Sequence, residues 1–239
     1  VCKLHLSGQV TCVLSGDFAQ FPAILETWAG AALPTGMLET SHMVRELAGS
    51  NRLTLQKNHR SDAVLFDFYT SIFDIPFYTL PEARILFPKT DRIATTTLVI
   101  SHSKRRYINM LANLADKPPD AVFFRAPVLG KMGGNTPQSM WLWPGIRLVG
   151  CGGPVKKGVF ETVATVTPEE IVLESGTCLT AQQGIRSLRL SAALTYPSSQ
   201  GLTLPGVVRL SCTDSKHFTK RHLYVGASRA IRHSDLEVE

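Results

Sequence analysis

Charge is scarce in this 239-residue chain: Asp, Glu, Lys and Arg make up 18%, below the quarter usual for soluble domains. With 44% hydrophobic residues, that composition excludes a disordered chain, because there is enough apolar surface to bury a core. No apolar run reaches the roughly eighteen residues that a bilayer-crossing helix needs. Val1 opens no basic-then-apolar leader either, so neither a membrane protein nor a secreted one is expected. The cysteines, Cys2, Cys12, Cys151, Cys178 and Cys212, are far apart and lack paired CxxC spacing, which argues against a zinc site or a disulfide framework. Three of them lie within apolar runs, where a thiol serves as a small core residue. An intracellular, reducing compartment, nucleus or cytoplasm, is the expectation. Two more absences concern chemistry. The one Gly-Lys pair, Gly130-Lys131, is followed by Met132 and preceded by no glycine at the spacing of a GxxxxGK[ST] phosphate loop, and no Asp-Glu dipeptide occurs. A complete phosphate-loop ATP site is therefore not expected in this chain.

What is present is a small basic surplus, 25 Lys and Arg against 19 Asp and Glu for +6, which suits a polyanionic partner. The patterning alternates strand and helix. Val10-Thr11-Cys12-Val13-Leu14 is a β-branched apolar run of the kind that forms a buried parallel strand. It stops at Ser15-Gly16-Asp17, placing Asp17 and Gln20 where α/β sheets bind ligands, beyond the carboxyl ends of strands. A helical pattern runs from about Leu38 to Leu47, and Arg52 to Leu55 reads as a short strand. Ser61 is expected to cap a helix with Asp62 in its first turn, and Val64, Leu65, Phe68, Tyr69, Ile72 and Phe73 form a stripe facing a core. Thr97 to Ser101 reads as a buried strand, followed by a basic amphipathic helix from about Lys104 to Leu114 that Pro118-Pro119 ends. From Trp141 to about Leu190, short strands such as Val159 to Val166 and Ile171 to Leu173 are separated by glycine-rich turns, the texture of a compact barrel. The α/β rhythm then returns with Leu188 to Leu194, Val207 to Leu210, a helix over Phe218 to Ala230 and a strand near Leu236.

Three segments, in order, carry a resemblance. Gly16-Asp17-Phe18-Ala19-Gln20-Phe21-Pro22, Thr195-Tyr196-Pro197-Ser198-Ser199-Gln200-Gly201-Leu202-Thr203 and Tyr224-Val225-Gly226-Ala227-Ser228-Arg229 resemble the later motifs of superfamily 1 helicases, most closely the RecD-like branch that runs 5′ to 3′. Leu53-Thr54-Leu55-Gln56-Lys57-Asn58-His59-Arg60 is similar to the element that opens the second motor domain of that family. The resemblance implies that Gln20 senses the γ-phosphate of ATP, a task suited to an amide that both donates and accepts. It implies that Arg60 and Arg229 reach the nucleotide phosphates, where a permanently charged planar fork stabilises a transferring phosphoryl group. Gly16, Asp17, Gln200 and Gly201 are implied at the nucleotide. Ser199 and Thr203 would offer hydroxyls to the phosphates of a single strand, with Gly201 allowing close backbone approach. Lys156, Lys157, Lys104 and Arg105, beside Arg106, Lys216, Lys220 and Arg221, are further candidate phosphate contacts. The sequence departs from the family at Phe21 and Ala23, and at Pro197-Ser198, which stand where the family has His-Lys and so remove a cation near the strand.

The resemblance implies an α/β fold: a RecA-like parallel sheet of the phosphate-loop NTPase type, forming the second motor domain, with an inserted small SH3-like β-barrel. Residues 1–36 would end the first RecA-like domain, 37–138 and 191–239 would form the second, and 139–190 the insert. In that family the phosphate loop and the acidic magnesium motif precede the Gly-Asp-Phe segment. This chain is accordingly read as the C-terminal part of an ATP-dependent DNA helicase, with ATP and Mg2+ bound in the complete parent protein and neither held tightly by this chain alone. The expected partners are single-stranded nucleic acid, DNA before RNA, and the missing N-terminal motor domain of the same polypeptide; no membrane is expected. The alternative is a non-catalytic nucleic-acid-binding module, or a decayed relative of the helicases, on the same scaffold. A structural or interaction protein on an α/β scaffold would need the motif matches to be accidental.

Overall fold

The structure, a computed structural model, describes residues 15–21, 27–28, 31–32, 40–48, 51, 53–54, 57–73, 80–127 and 136–239. It falls into two units, Val1–His59 and Arg60–Glu239. The expected strand at Val10 to Leu14 and the Gly130-Lys131 pair lie outside the described residues.

In the first unit, β1 (Thr27–Trp28) and β2 (Ala31–Ala32) pair antiparallel. Helix α1 spans His42–Leu47, started by Ser41, whose side chain accepts the Val44 N–H at 3.2 Å. Leu53 and Thr54, expected within a strand, have no regular structure, and Leu53 is 94% exposed. A lone Leu-Thr-Leu run is too short to hold an extended conformation without a neighbouring strand.

The second unit is built on a parallel sheet of order β11-β3-β12-β13, formed by Ala193–Thr195, Thr96–Val99, Val208–Leu210 and Leu236–Val238. All four residues of β3 are buried, as expected for a parallel strand covered on both faces. Helix α2 (Ala63–Ser71) begins at Asp62, whose carboxylate accepts the Leu65 N–H at 2.9 Å. The cap is thus Asp62, not Ser61, whose hydroxyl instead meets Tyr69 Oη at 3.2 Å. Of the expected stripe, Leu65, Phe68, Tyr69 and Ile72 are buried, whereas Val64 and Phe73 face outward. Helix α3 (Leu80–Leu86), with Pro81 and Glu82 in its first turn, is an element that sequence patterning missed. On β13, Glu237 is fully buried, takes the Arg209 Nε–H at 2.8 Å and accepts from Thr90 at 2.5 Å, tying two adjacent strands.

Helix α4 (His102–Asp116), capped by Ser101, packs on β3 and β11. Its buried positions are Arg105, Asn109 and Asn113, while Tyr107, Met110, Leu111 and Leu114 are 44–52% exposed. The helix is inside-out by the usual rule, and the amides explain why. The Asn109 side chain donates to the carbonyls of Leu190 (3.2 Å) and Ala193 (3.0 Å) and accepts the Ala193 N–H at 2.7 Å. Asn113 treats Trp141 the same way, at 2.8 and 2.7 Å. Each amide satisfies main-chain groups that would be costly to bury unpaired.

The ribbon β4 (Val122–Phe124) and β5 (Met140–Leu142) leads into an antiparallel sheet of order β10-β6-β7-β8-β9. Its strands are Leu188–Leu190, Arg147–Gly150, Phe160–Val166, Glu170–Leu173 and Cys178–Thr180, with helix α5 (Ala181–Ser187) before β10. Strand β7 pairs β6 with its first half and β8 with its second, and the register shifts between Val163 and Thr165. Such an irregularity bends a strand, letting the sheet fold around one core that includes Leu142, Leu148, Ile171, Leu173 and Leu188. Each such side chain contributes about 1.5–3 kcal/mol by leaving water. Leu188 to Leu194, expected as one α/β strand, divides between the two sheets: Leu188–Leu190 is antiparallel to β6 and Ala193–Thr195 is parallel to β3. Cys151 and Cys212 are half-buried and Cys178 is exposed, while Cys2 and Cys12 lie outside the described residues. Among the described residues no helix is long and apolar enough to cross a membrane.

Candidate functional site

Strand β11 ends at Thr195, and the chain turns at once through a 3-10 helix, Tyr196–Ser199. Pro197 suits this first turn, because its missing N–H is not needed there. Tyr196 is wholly buried, donates from its hydroxyl to the Ser211 carbonyl at 3.1 Å and meets Phe218 and His222 edge-on. Those contacts fix the Ser-Gln-Gly turn at the carboxyl end of a parallel strand, the usual ligand position in such sheets. Gly201 has φ +80 with nothing near its would-be Cβ. Glycine suits that left-handed backbone.

Helix α6 (Lys220–Ala227) brings the last motif to the same place. A Cβ on Gly226 would lie 2.5 Å from Leu210 Cδ2, so glycine lets the helix lie flat on β12. Just beyond the helix, Arg229 is 1% exposed. Its Nε donates to the Val225 carbonyl at 3.1 Å, its Nη1 to those of Leu202 (3.2 Å) and Ser199 (3.5 Å), and its Nη2 to Ser228 Oγ at 2.7 Å. The fork is turned inward as a tie between α6 and the Ser-Gln-Gly turn, whereas the expectation held it out towards a nucleotide. Arg60 is exposed and donates from Nη1 to the Ser228 carbonyl at 3.3 Å. Next to it, the Asp62 carboxylate takes the His233 N–H at 2.7 Å and faces His233 Nδ1 at 2.9 Å. Burial pushes that carboxyl up, but the N–H groups of His233 and Leu65 outweigh it and hold the pKa below its ordinary value. Arg60, Arg229 and the Ser-Gln-Gly turn, 139 residues apart at their nearest in sequence between Arg60 and Ser199, are therefore held together around the end of α6.

The remaining candidates are placed as follows. In the first unit, Asp17 organises the Gly-Asp turn: its carboxylate accepts the Ala19 N–H at 3.0 Å and the Gln20 side-chain amide at 2.9 Å. Gly16 and Asp17 are exposed and Gln20 half-buried. In the second, Ser199 is fully buried with its hydroxyl donating to the Tyr196 carbonyl at 2.8 Å. It supports the turn instead of facing outward to a strand. Gln200 is half-buried, and Gly201 and Thr203 are exposed. Lys104, Lys156 and Lys157 are exposed, whereas Arg105 is 3% exposed; a helix presents neighbouring residues about 100° apart, so Lys104 faces water while Arg105 faces inward. Asn109, Asn113 and Arg189 are the residues that sequence reading passed over. Only their interruption of an apolar helix face or strand marks them. Among the described residues no cluster of three His, Cys, Asp or Glu side chains could hold a metal.

No family model and no curated protein matches the chain. Solved structures do. A Pif1 helicase from Candida albicans is similar over 93% of this chain and 62% of that one, at TM-score 0.61 and 18% identity. A Pif1 structure described as showing two coordinating helicases unwinding forked double-stranded DNA is similar over 83% and 56%, at TM-score 0.56 and 15% identity. Bacteroides Pif1 bound to single-stranded DNA is similar over 83% and 58%, at TM-score 0.51 and 15% identity. The chain thus spans 56–62% of the length of these structures. What the likeness establishes is architecture: the chain has the α/β fold, parallel sheet plus antiparallel sheet, of part of a Pif1 helicase structure.

Proposed function

We propose that this chain is part of a Pif1-like, ATP-dependent DNA helicase and supplies its second motor domain with an SH3-like insert. The observation that carries this reading is the convergence of Arg60, Arg229 and the Ser-Gln-Gly turn at the carboxyl end of β11, supported by the Pif1-like fold. Arg60, exposed and anchored through Ser228, is the guanidinium for the nucleotide phosphates. Arg229 acts as the positioning residue that couples α6 to the turn. Gln20, with Gly16 and Asp17, keeps the γ-phosphate role that the motif implies, and Gln200 and Gly201 adjoin the nucleotide. Lys156, Lys157, Lys104 and Thr203, all exposed, contact the phosphates of single-stranded DNA. ATP and Mg2+ belong to the complete parent protein, whose phosphate loop supplies what this sequence lacks. The chain alone is expected to show no ATPase activity; turnover abolished by Arg60→Ala in the 239-residue protein would refute that.

The test is anisotropy with a labelled single-stranded oligonucleotide across a salt series. Affinity should fall steeply with salt, and the Lys156→Ala, Lys157→Ala double variant should lower the log–log slope by about one to two units, as lost phosphate contacts release fewer counterions. A flat salt response would remove the nucleic-acid reading. The inward fork of Arg229 and the Pro197-Ser198 pair favour a second reading, a non-catalytic nucleic-acid-binding module. A longer polypeptide with an intact phosphate loop and a strand-stimulated ATPase that Arg60→Ala abolishes would decide for the motor.

A further inference from the structure

A groove in the second unit is bounded by the end of β4, the turn before β8 and the first turns of α5. Its cavity volume is about 310 Å³, at the lower end of clefts that take an organic ligand. Phe123, 48% exposed, and the exposed Pro127 and Pro168 form apolar walls, with the buried Ile185 at the bottom. The groove is built before any partner arrives. A capping box of Thr180 and Gln183 starts α5, and the Ala181 N–H donates to the Glu169 carbonyl at 2.8 Å, tying that helix to the turn that carries Pro168. On the opposite side, the Ala126 N–H donates to Ser139 Oγ at 3.0 Å, which extends the β4–β5 pairing and holds the main chain beside Arg125. The Phe123 ring rests against Trp141, centroids 4.9 Å apart, and Lys117 lies over the Trp141 ring at 4.6 Å. Walls set in advance lower the ordering cost of association.

Arg125 and Arg186 select the occupant. Both line the groove and are exposed, and neither guanidinium has a hydrogen bond or ion pair within the chain. Among the described residues no carboxylate lines the groove. We infer that this groove docks an acidic peptide segment of a partner protein. Apolar side chains of the peptide enter between Phe123, Pro127, Pro168 and Ile185, and carboxylates beside them pair with Arg125 and Arg186. An arginine fork takes a carboxylate through two parallel hydrogen bonds. Arginine beside aromatic side chains is also the composition of the protein contacts that carry most binding energy. A nucleic-acid strand fits this surface less well. Glu169 and Glu170, exposed on the turn next to Pro168, repel a chain with a charge on every unit, whereas a peptide can place its carboxylates only where the arginines are. Two cations also fall short of the basic stripe that a polyanion needs. The inference goes beyond the helicase reading and does not rest on it, because none of the motifs or candidate phosphate contacts lines this groove.

The experiment is fluorescence anisotropy of the 239-residue protein with a panel of labelled peptides of about twelve residues, long enough to fill such a groove. Each carries paired Leu, Ile or Phe anchors, at helical or alternating spacing, among Asp and Glu. One control panel has Lys in place of the acidic residues, and the other has Ser in place of the anchors. Peptides of the acidic panel should bind at least about tenfold more tightly than either control. Arg125→Glu combined with Arg186→Glu, both exposed changes, should leave the urea midpoint in place and weaken the acidic peptides by at least about tenfold. Acidic peptides that bind no better than the controls overturn the inference, as does binding that the double variant leaves unchanged. If the charge reversal disturbs folding, Phe123→Ala decides, with an expected loss of about fivefold or more and no loss counting against the groove. A single-stranded oligonucleotide is the remaining arm. If it displaces the bound peptide and loses more affinity than the peptides do in the double variant, the surface is a nucleic-acid contact and the peptide assignment falls.

Discussion

Arg229 sits where two expectations meet. The motif it closes implies a side chain held towards a nucleotide, and the packing gives it four hydrogen-bond acceptors on its own unit. Truncating a buried fork takes a donor from the carbonyls of Val225, Ser199 and Leu202; the first two keep Ser228 Oγ and the Leu202 N–H, while the Leu202 carbonyl and the space of the fork are left to a desolvated interior. Arg229→Ala should therefore lower stability by about 2–4 kcal/mol, read as a shift in urea midpoint at unchanged m value. A midpoint equal to wild type would show that the fork is not a structural tie. His222 gives a second expectation at this scale. Its Nδ1 accepts the Thr219 N–H at 3.1 Å and meets Thr219 Oγ1 at 2.9 Å, so its neutral form is the one the fold uses. Burial brings its pKa down from 6.5 to about 4. The unfolded chain then binds the proton more tightly, and stability present above about pH 6.5 is lost as the pH falls towards 4. His222→Gln keeps an acceptor for the capping arrangement and should flatten that acid limb in denaturation midpoints taken across the window. An unchanged limb would place the acid sensitivity elsewhere.

Helix α4 is the element that most separates pattern from outcome. Its end was legible, since Pro118-Pro119 is a local signal, but its cap, Ser101, was read as the last residue of a strand, and its facing was not legible. Periodicity assigns Met110, Leu111 and Leu114 inward and Asn109 outward; main-chain groups at Leu190 and Ala193, which periodicity does not represent, reverse this. Asn109→Leu, a gain in hydrophobicity, should destabilise by about 2–4 kcal/mol because it leaves a buried N–H and two carbonyls unsatisfied. Leu111→Gln, on the outward face, should stay within about 0.5 kcal/mol. Thermal melts of the pair test the facing directly, and the reverse ranking would refute it. The same limit explains the division of Leu188 to Leu194: alternation gives extended backbone but does not say which sheet takes it. Helix α3 was missed although Pro81 and Glu82 are ordinary start signals, because its neighbours offered no long stripe.

At the scale of the molecule, motif order in the sequence was enough to anticipate the α/β architecture with a β-rich insertion, and the arginines and the Ser-Gln-Gly turn do meet within the second unit. What sequence could not supply was direction: Arg229 and Ser199 are close to where their motifs put them but point inward, because each donates to main-chain carbonyls of its own unit. The basic surplus of the chain is likewise not spread evenly. Arg84, Lys89, Arg92 and Arg209 are matched by Asp214, Glu239, Asp235 and Glu237 near the β12–β13 side of the parallel sheet.

Only Ser191 and Ala192 separate the last antiparallel strand, β10, from the parallel strand β11, and the Asn109 amide grips the main chain on both sides of that step. So short a tether, clamped at each end, has no slack in which one sheet could swivel against the other. A pull on the β-rich insertion would be delivered through Leu190 and Ala193 straight into β11, and from its tip into the turn that carries Gln200.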